Sequence, residues 1–339
     1  MELLPASGML TGSLSVANRY HRDRWPDARK RIVCHAAPSN TRITHMRRHS
    51  CGKIRRGLPA LTLIAVAAGL SGQSSPKTQF VLVEPDVRLE VLDWGGHGRS
   101  VVLLAGGGDT AHVYDKLAPK LTPVCHVVGI TRRGFGASSR PTTGYSAASL
   151  ADDIVRVLDA LKIDKPVLIG HSVAGDEMSS LGARRSDRIA GLIYLDAATD
   201  RTYVLPPDQK CGADCEILGI GEAPKPDPKH FDPRTALGAG VERPNYAQIQ
   251  VPALALYAAP RTWSEMMPGA PKLTDPQQRA ASERVVALAA RTRKYMEDTF
   301  RSGVKNSRVV EIPGANHYIF RNNEADVLRE ILAFLKTLP

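Results

Sequence analysis

No stretch of this 339-residue sequence is both apolar enough and long enough to span a bilayer comfortably. The longest apolar run, Leu58–Leu70, holds roughly a dozen residues, against the ~20 that a spanning helix needs. Aromatic residues make up only 5% of the chain. They do not interleave with a basic stripe, which argues against a nucleic-acid-binding surface. Cysteine is equally scarce. The pair closest in sequence, Cys211 and Cys215, has no histidine clustered with it, so a zinc site there is not expected. The Gly-Lys-Ser/Thr ending of a Walker phosphate loop is missing as well.

The formal net charge of +11 suggests an anionic partner until it is located along the chain. Residues 1–75 hold 12 Lys/Arg against 3 Asp/Glu, whereas the remainder holds 33 against 31. The body is therefore nearly neutral, and no nucleic-acid partner is expected. Residues 1–45 show no helical or strand period and read as a disordered or mis-annotated extension. Met46 opens a second pattern. Arg47, Arg48, Lys53, Arg55 and Arg56 precede Leu58–Leu70, and small residues lie around Ala67 to Gly72, the layout of a signal peptide over residues 46–75. No cysteine follows at once, so no stable membrane anchor is expected. The protein is expected to be periplasmic or secreted if translation starts at Met46, and cytoplasmic otherwise. In an exported protein Cys211 and Cys215 are placed to form a small disulfide. Cys125 opens an apolar segment and reads as a buried small hydrophobe.

From Gln79 onward, short apolar segments alternate with helical periodicity. Gln79–Glu84 and Val87–Asp93 read as strands about a Pro85-Asp86 turn. Val101–Leu104, His126–Thr131, Val167–Ile169, Ile189–Leu195, Ala253–Tyr257 and Ser307–Ile312 read as further strands. Leu150, Ile154, Leu158 and Leu161 recur at helical spacing, and residues 276–302 and 324–335 read as helices. This alternation predicts an α/β fold: a mainly parallel, doubly wound sheet of about eight strands covered by helices on both faces. Sites in such sheets form at the carboxyl ends of the strands. There the sequence places Gly106-Gly107-Gly108, Ser172, Asp196 and His317. Residues 201–250 break the alternation, being rich in proline, glycine and charge.

The most telling segment is Val167-Leu168-Ile169-Gly170-His171-Ser172-Val173-Ala174-Gly175. A strand runs into Gly-x-Ser-x-Ala and then into helix-compatible sequence, the pattern of a nucleophile elbow. Gly170 and Ala174 flank Ser172 where a tight turn leaves no room for large side chains, and Gly175 is expected to ease entry into the helix. A serine hydroxyl needs a base within reach, a group to orient that base, and N–H donors for the developing oxyanion.

On four motifs in order, the chain resembles the α/β-hydrolase family from about Gln79 to Leu338. They are Leu103-Leu104-Ala105-Gly106-Gly107-Gly108, Arg133-Gly134-Phe135-Gly136-Ala137-Ser138, Gly170-His171-Ser172-Val173-Ala174 and Gly314-Ala315-Asn316-His317. The chain departs from the family pattern at Ala174, where a second glycine is usual, and at Ala105, where histidine is frequent. The resemblance implies Ser172 as nucleophile, His317 as base, a structural His171, and an oxyanion hole from the backbone N–H groups of Gly107 and Val173. It also implies a core over 76–200 and 251–339 with a cap over 201–250, in which Tyr203, Leu205, Phe231 and Tyr246 are candidate pocket lining. The usual acid position after the next-to-last strand carries no aspartate. Asp196 is the expected acid, with Glu265 and Asp200 as alternatives.

The implied activity is hydrolysis of a small-molecule carboxylic ester through an acyl-enzyme, with no metal or organic cofactor. Lactone and C–C bond hydrolysis use the same groups, and cofactor-free haloperoxidase-like activity is a side reading. Dehalogenase and epoxide hydrolase chemistry is disfavoured because those branches use an aspartate nucleophile. A ligand-binding protein without activity is the alternative of another class. The leader makes its own prediction. N-terminal sequencing of the exported protein is expected to find a start near Ala67 to Gly72, and an intact Met1 terminus would refute it.

Overall fold

The computed structural model describes residues 75–207, 210–221 and 229–339. The extension over 1–45, the leader-like run Leu58–Leu70, Cys34 and Cys51 lie outside the described residues.

Eight strands form one sheet: β1 (Lys77–Glu84), β2 (Val87–Gly95), β3 (Arg99–Leu104), β4 (Cys125–Ile130), β5 (Val167–His171), β6 (Gly191–Leu195), β7 (Ala253–Ala259) and β8 (Ser307–Pro313). Their order is β1-β2-β4-β3-β5-β6-β7-β8. The β1–β2 and β2–β4 pairs are antiparallel and all other pairs are parallel. The expected sheet is therefore present, and each expected strand falls within a residue or two of an observed one.

Strand side chains alternate between the two faces, and the core divides accordingly. Val102, Leu104, Leu168, Leu192, Tyr194, Ala253 and Ala255 face one side, where α1 (Ala147–Leu161) and α2 (Ala174–Arg184) pack. Val101, Leu103, Val167, Ile169, Ile193, Leu195, Leu254 and Leu256 face the other. Burial on both faces explains why these strands read as continuous apolar runs rather than as polar–apolar alternation.

Between β6 and β7 lie two short helices, α3 (Gly212–Ile217) and α4 (Pro233–Ala239), of six and seven residues. Helices this short display no hydrophobic period, which is why the segment reads as unpatterned. Cys211 and Cys215 form a disulfide at the start of α3. Asp232 caps α4, its carboxylate accepting from the backbone N–H of Thr235 at 3.2 Å. Two long helices, α5 (Pro276–Gly303) and α6 (Glu324–Leu335), flank β8 in sequence. Among the described residues no helix is long and apolar enough to cross a membrane.

Three of the candidate pocket-lining side chains pack on other rings, although Phe231 stays largely exposed. Tyr203 stacks on Tyr295 with ring centroids 4.2 Å apart, Phe231 packs on Tyr145, and Tyr246 is buried edge-on to Phe300. Cys125 is buried, as expected of a small hydrophobe.

Gly175 makes a close contact that the sequence pattern does not show. A Cβ there would overlap the carbonyl oxygen of Ala197, so the missing side chain lets α2 lie against the chain leaving β6. Gly175→Ala is therefore expected to cost about 3 kcal/mol or more, measured by chemical denaturation. A loss below about 0.5 kcal/mol would show that this contact relaxes freely.

Candidate active site

Ser172 is the residue that follows β5, and it adopts φ +57°. A non-glycine residue in this left-handed region is strained unless its surroundings over-determine it. Here they do. The Ser172 N–H donates to the Leu195 carbonyl at 3.3 Å, and the Gly175 N–H donates to the Ser172 carbonyl at 3.0 Å. A Cβ on Gly170 would overlap the Met178 sulfur and lie 2.9 Å from the Ala174 Cβ. The two small residues that flank the serine thus face each other across the turn. Ala174 already contacts the vacant side of Gly170, so alanine is about as large as the position tolerates.

The register brings the neighbouring strand to the same level. His171 pairs with Leu195, so Ser172 and Asp196 each stand one residue past adjacent strand ends. Asp196 is also left-handed, at φ +50°. Its N–H donates to Leu256 at 2.7 Å, and its Oδ1 accepts from the Ala258 N–H of β7 at 3.0 Å. The other oxygen, Oδ2, lies 2.6 Å from His317 Nδ1. A carboxylate only accepts, so His317 donates from Nδ1 and its Nε2 is left as an acceptor. The two alternative acids are engaged elsewhere. Glu265 accepts from the Arg261 N–H at 2.7 Å, and Asp200 accepts from Thr202.

His171 is buried and packs tilted against His317, with ring centroids 4.5 Å apart. Its Nε2 is 2.9 Å from the His317 carbonyl oxygen, which can only accept, so Nε2 carries the proton. Burial, reinforced by the neighbouring His317, holds His171 well below the usual histidine range. It is a neutral strut under the backbone of His317.

The three glycines after β3 each face a different neighbour. A Cβ on Gly106 would lie 2.7 Å from His171 Nδ1 and 3.3 Å from the Ser172 Cβ. One on Gly107 would touch Val173, and one on Gly108 would meet the guanidinium of Arg234. Among the described residues nothing accepts a hydrogen bond from the backbone N–H of Gly107 or of Val173. Two free donors therefore stand beside the serine. Among the described residues no group of three or more His, Cys, Asp or Glu side chains could hold a metal ion.

Residues 91–212 match the sequence model of the α/β hydrolase fold. The whole architecture agrees with it. The solved structure of an E-2-(acetamidomethylene)succinate hydrolase superposes with a TM-score of 0.54 at 18% identity, covering 77% of this chain and 99% of that one. The chain has the α/β hydrolase fold. An esterase of Escherichia coli is 40% identical over 94 residues, which is 27% of this chain and 36% of the esterase. A candidate carbamate hydrolase of Caulobacter segnis is 36% identical over 110 residues, 32% of this chain and 41% of that protein. The chain thus matches about two fifths of the length of these relatives.

Sequence reading missed the buried charges that brace the Ser172 turn within this α/β hydrolase fold. Arg132 grips Glu177 of α2 through Nε and Nη2 at 2.8 and 2.7 Å, and Nη2 also donates to the Ala105 carbonyl at 2.9 Å. The pair is buried and ties the glycine loop to the helix that follows Ser172. Nothing marks Arg132 in the sequence except its place after an apolar strand. One turn into α2, Asp176 lies 3.2 Å from Arg201 Nε, with both groups buried. Burial lifts the Asp176 carboxyl to about 7, against the pull of Arg201.

An acid raised in the folded state holds its proton more tightly there than in the unfolded chain. Asp176 therefore lowers stability as pH rises from roughly 4 to 7. Asp176→Asn cannot ionise. The stability difference between variant and parent, from denaturant titration, is expected to move in the variant's favour across that range. A difference that stays flat with pH counts against it.

Proposed function

We infer that this protein is a serine hydrolase that cleaves carboxylic esters through an acyl-enzyme. The observation that carries the reading is the 2.6 Å contact between His317 Nδ1 and Asp196, at the same sheet edge as the strained Ser172 turn. Asp196 holds the His317 ring with Nε2 as the free acceptor. Ser172 Oγ attacks the ester carbonyl while His317 Nε2 takes its proton. The tetrahedral oxyanion accepts from the N–H groups of Gly107 and Val173, donors whose present lack of partners suits them to that task. His317 then gives its proton to the departing alcohol, leaving an acyl group on Ser172. Water, deprotonated by the same histidine, releases the acid and restores the serine.

The similarity to a protein named as an esterase, confined to about a hundred residues, supports ester hydrolysis. The serine at the elbow supports an acyl-enzyme rather than chemistry that needs an aspartate nucleophile.

A fluorophosphonate probe is expected to label the protein at Ser172 and to lose all labelling in Ser172→Ala. Asp196→Asn is expected to lower kcat on p-nitrophenyl butyrate by about 10⁴. Asp200→Asn and Glu265→Gln should each stay within a few-fold of the parent. Well-folded protein that neither labels nor turns over would favour a binding role on this fold. Loss of turnover in Glu265→Gln with retention in Asp196→Asn would move the acid.

A further inference from the structure

The row Gly106-Gly107-Gly108 carries more than room for an oxyanion. Its first member faces Ser172, its second faces Val173, and its third faces a charged side chain from the insertion. A Cβ on Gly108 would lie 2.7 Å from Arg234 Nη2, 2.9 Å from Nε and 3.1 Å from the guanidinium carbon. The guanidinium thus turns its Nε–Nη2 edge toward the space where Gly108 carries no side chain, at φ +88°, two positions along the loop from the residue that approaches the nucleophile. Two Cα steps span about 7.6 Å at most.

The guanidinium meets no acceptor at contact distance, although the Asp232 carboxylate two residues back attracts it. Among the described residues Arg234 forms no ion pair, and its guanidinium donates no hydrogen bond. The acid of this corner, Asp109, accepts from the Tyr318 hydroxyl at 3.0 Å rather than from Arg234. A second cation, Arg321, sits over the Tyr318 ring with its guanidinium carbon 5.0 Å from the ring centre. A planar fork of N–H donors without an acceptor suits a carboxylate, which it can bind in bidentate fashion.

We propose that Arg234 is a specificity-determining residue that selects esters carrying a carboxylate a few atoms from the scissile carbonyl. The proposal rests on the serine-hydrolase reading. The insertion then supplies a charge that recognises the remote end of the substrate, while the glycine row positions the carbonyl beside Ser172. Binding energy from such a remote group aligns the reacting carbonyl and lowers the barrier to attack.

The test compares matched ester pairs. On the acyl side, p-nitrophenyl hemiglutarate is set against p-nitrophenyl valerate. On the alcohol side, 4-acetoxybutanoate is set against butyl acetate. The readout is the charged-to-neutral ratio of kcat/KM, which loss of fold or of general activity does not move. In Arg234→Gln the ratio is expected to fall at least tenfold for one of the two pairs, which identifies the side bearing the carboxylate. Arg234→Lys should recover part of it, and Arg243→Gln, at another arginine of the insertion, should leave the ratio within twofold. Ratios unchanged in Arg234→Gln for both pairs, with neutral-ester turnover that depends on Ser172, would overturn the subsite alone. Absence of Ser172-dependent turnover on all four esters would overturn the hydrolase reading and the subsite with it.

Discussion

The whole site depends on three side chains that are not there. Gly106, Gly170 and Gly175 mark the places where the loop after β3, the end of β5 and the start of α2 come into contact around Ser172. Each vacancy is filled by a different segment: His171 and Ser172 at Gly106, Met178 and Ala174 at Gly170, and the Ala197 backbone at Gly175. Interiors pack with almost no slack, so these approaches set the positions of the serine, the glycine row and the chain carrying Asp196 together. The left-handed backbone at Ser172 and Asp196 is tolerated because neighbours on both sides fix it. A strained turn in isolation would relax, whereas one clamped between a sheet and a helix cannot.

Most of this frame was legible in the residues. Strands buried on both faces announce themselves as apolar runs, and the long helices α1, α5 and α6 carry enough turns to show a period. The candidate nucleophile and base follow from local context, since Gly-x-Ser-x-Ala and Gly-Ala-Asn-His each sit just past a strand. Asp196 was harder, because an aspartate after a strand is common and only the β5–β6–β7 register shows that it reaches His317. The contact at Gly175 was not legible for the same reason. Its partner, the Ala197 carbonyl, lies 22 residues away, and no local pattern reports such a contact.

The buried ion pairs were invisible from sequence because they are products of topology. Arg132, Glu177 and Ala105 come from three separate segments and meet only when the sheet order places β3 between β4 and β5. Removing either partner would leave an uncompensated charge inside the protein, a penalty of several kcal/mol, although the intact pair adds little net stability. Its value is geometric. A bidentate contact to Glu177, with a third bond to the Ala105 carbonyl, fixes the glycine loop against the helix that follows Ser172.

The two histidines show how the same environment divides one kind of side chain into two tasks. Their rings lie 4.5 Å apart, and protonating both would place two positive charges in partly buried contact. Burial settles which of them stays neutral. His171 is enclosed, its proton committed to the His317 carbonyl, and its basicity suppressed by burial and by its neighbour. His317 is more open and has a carboxylate on Nδ1, the arrangement that stabilises an imidazolium when one forms. The neutral ring also braces the backbone of His317.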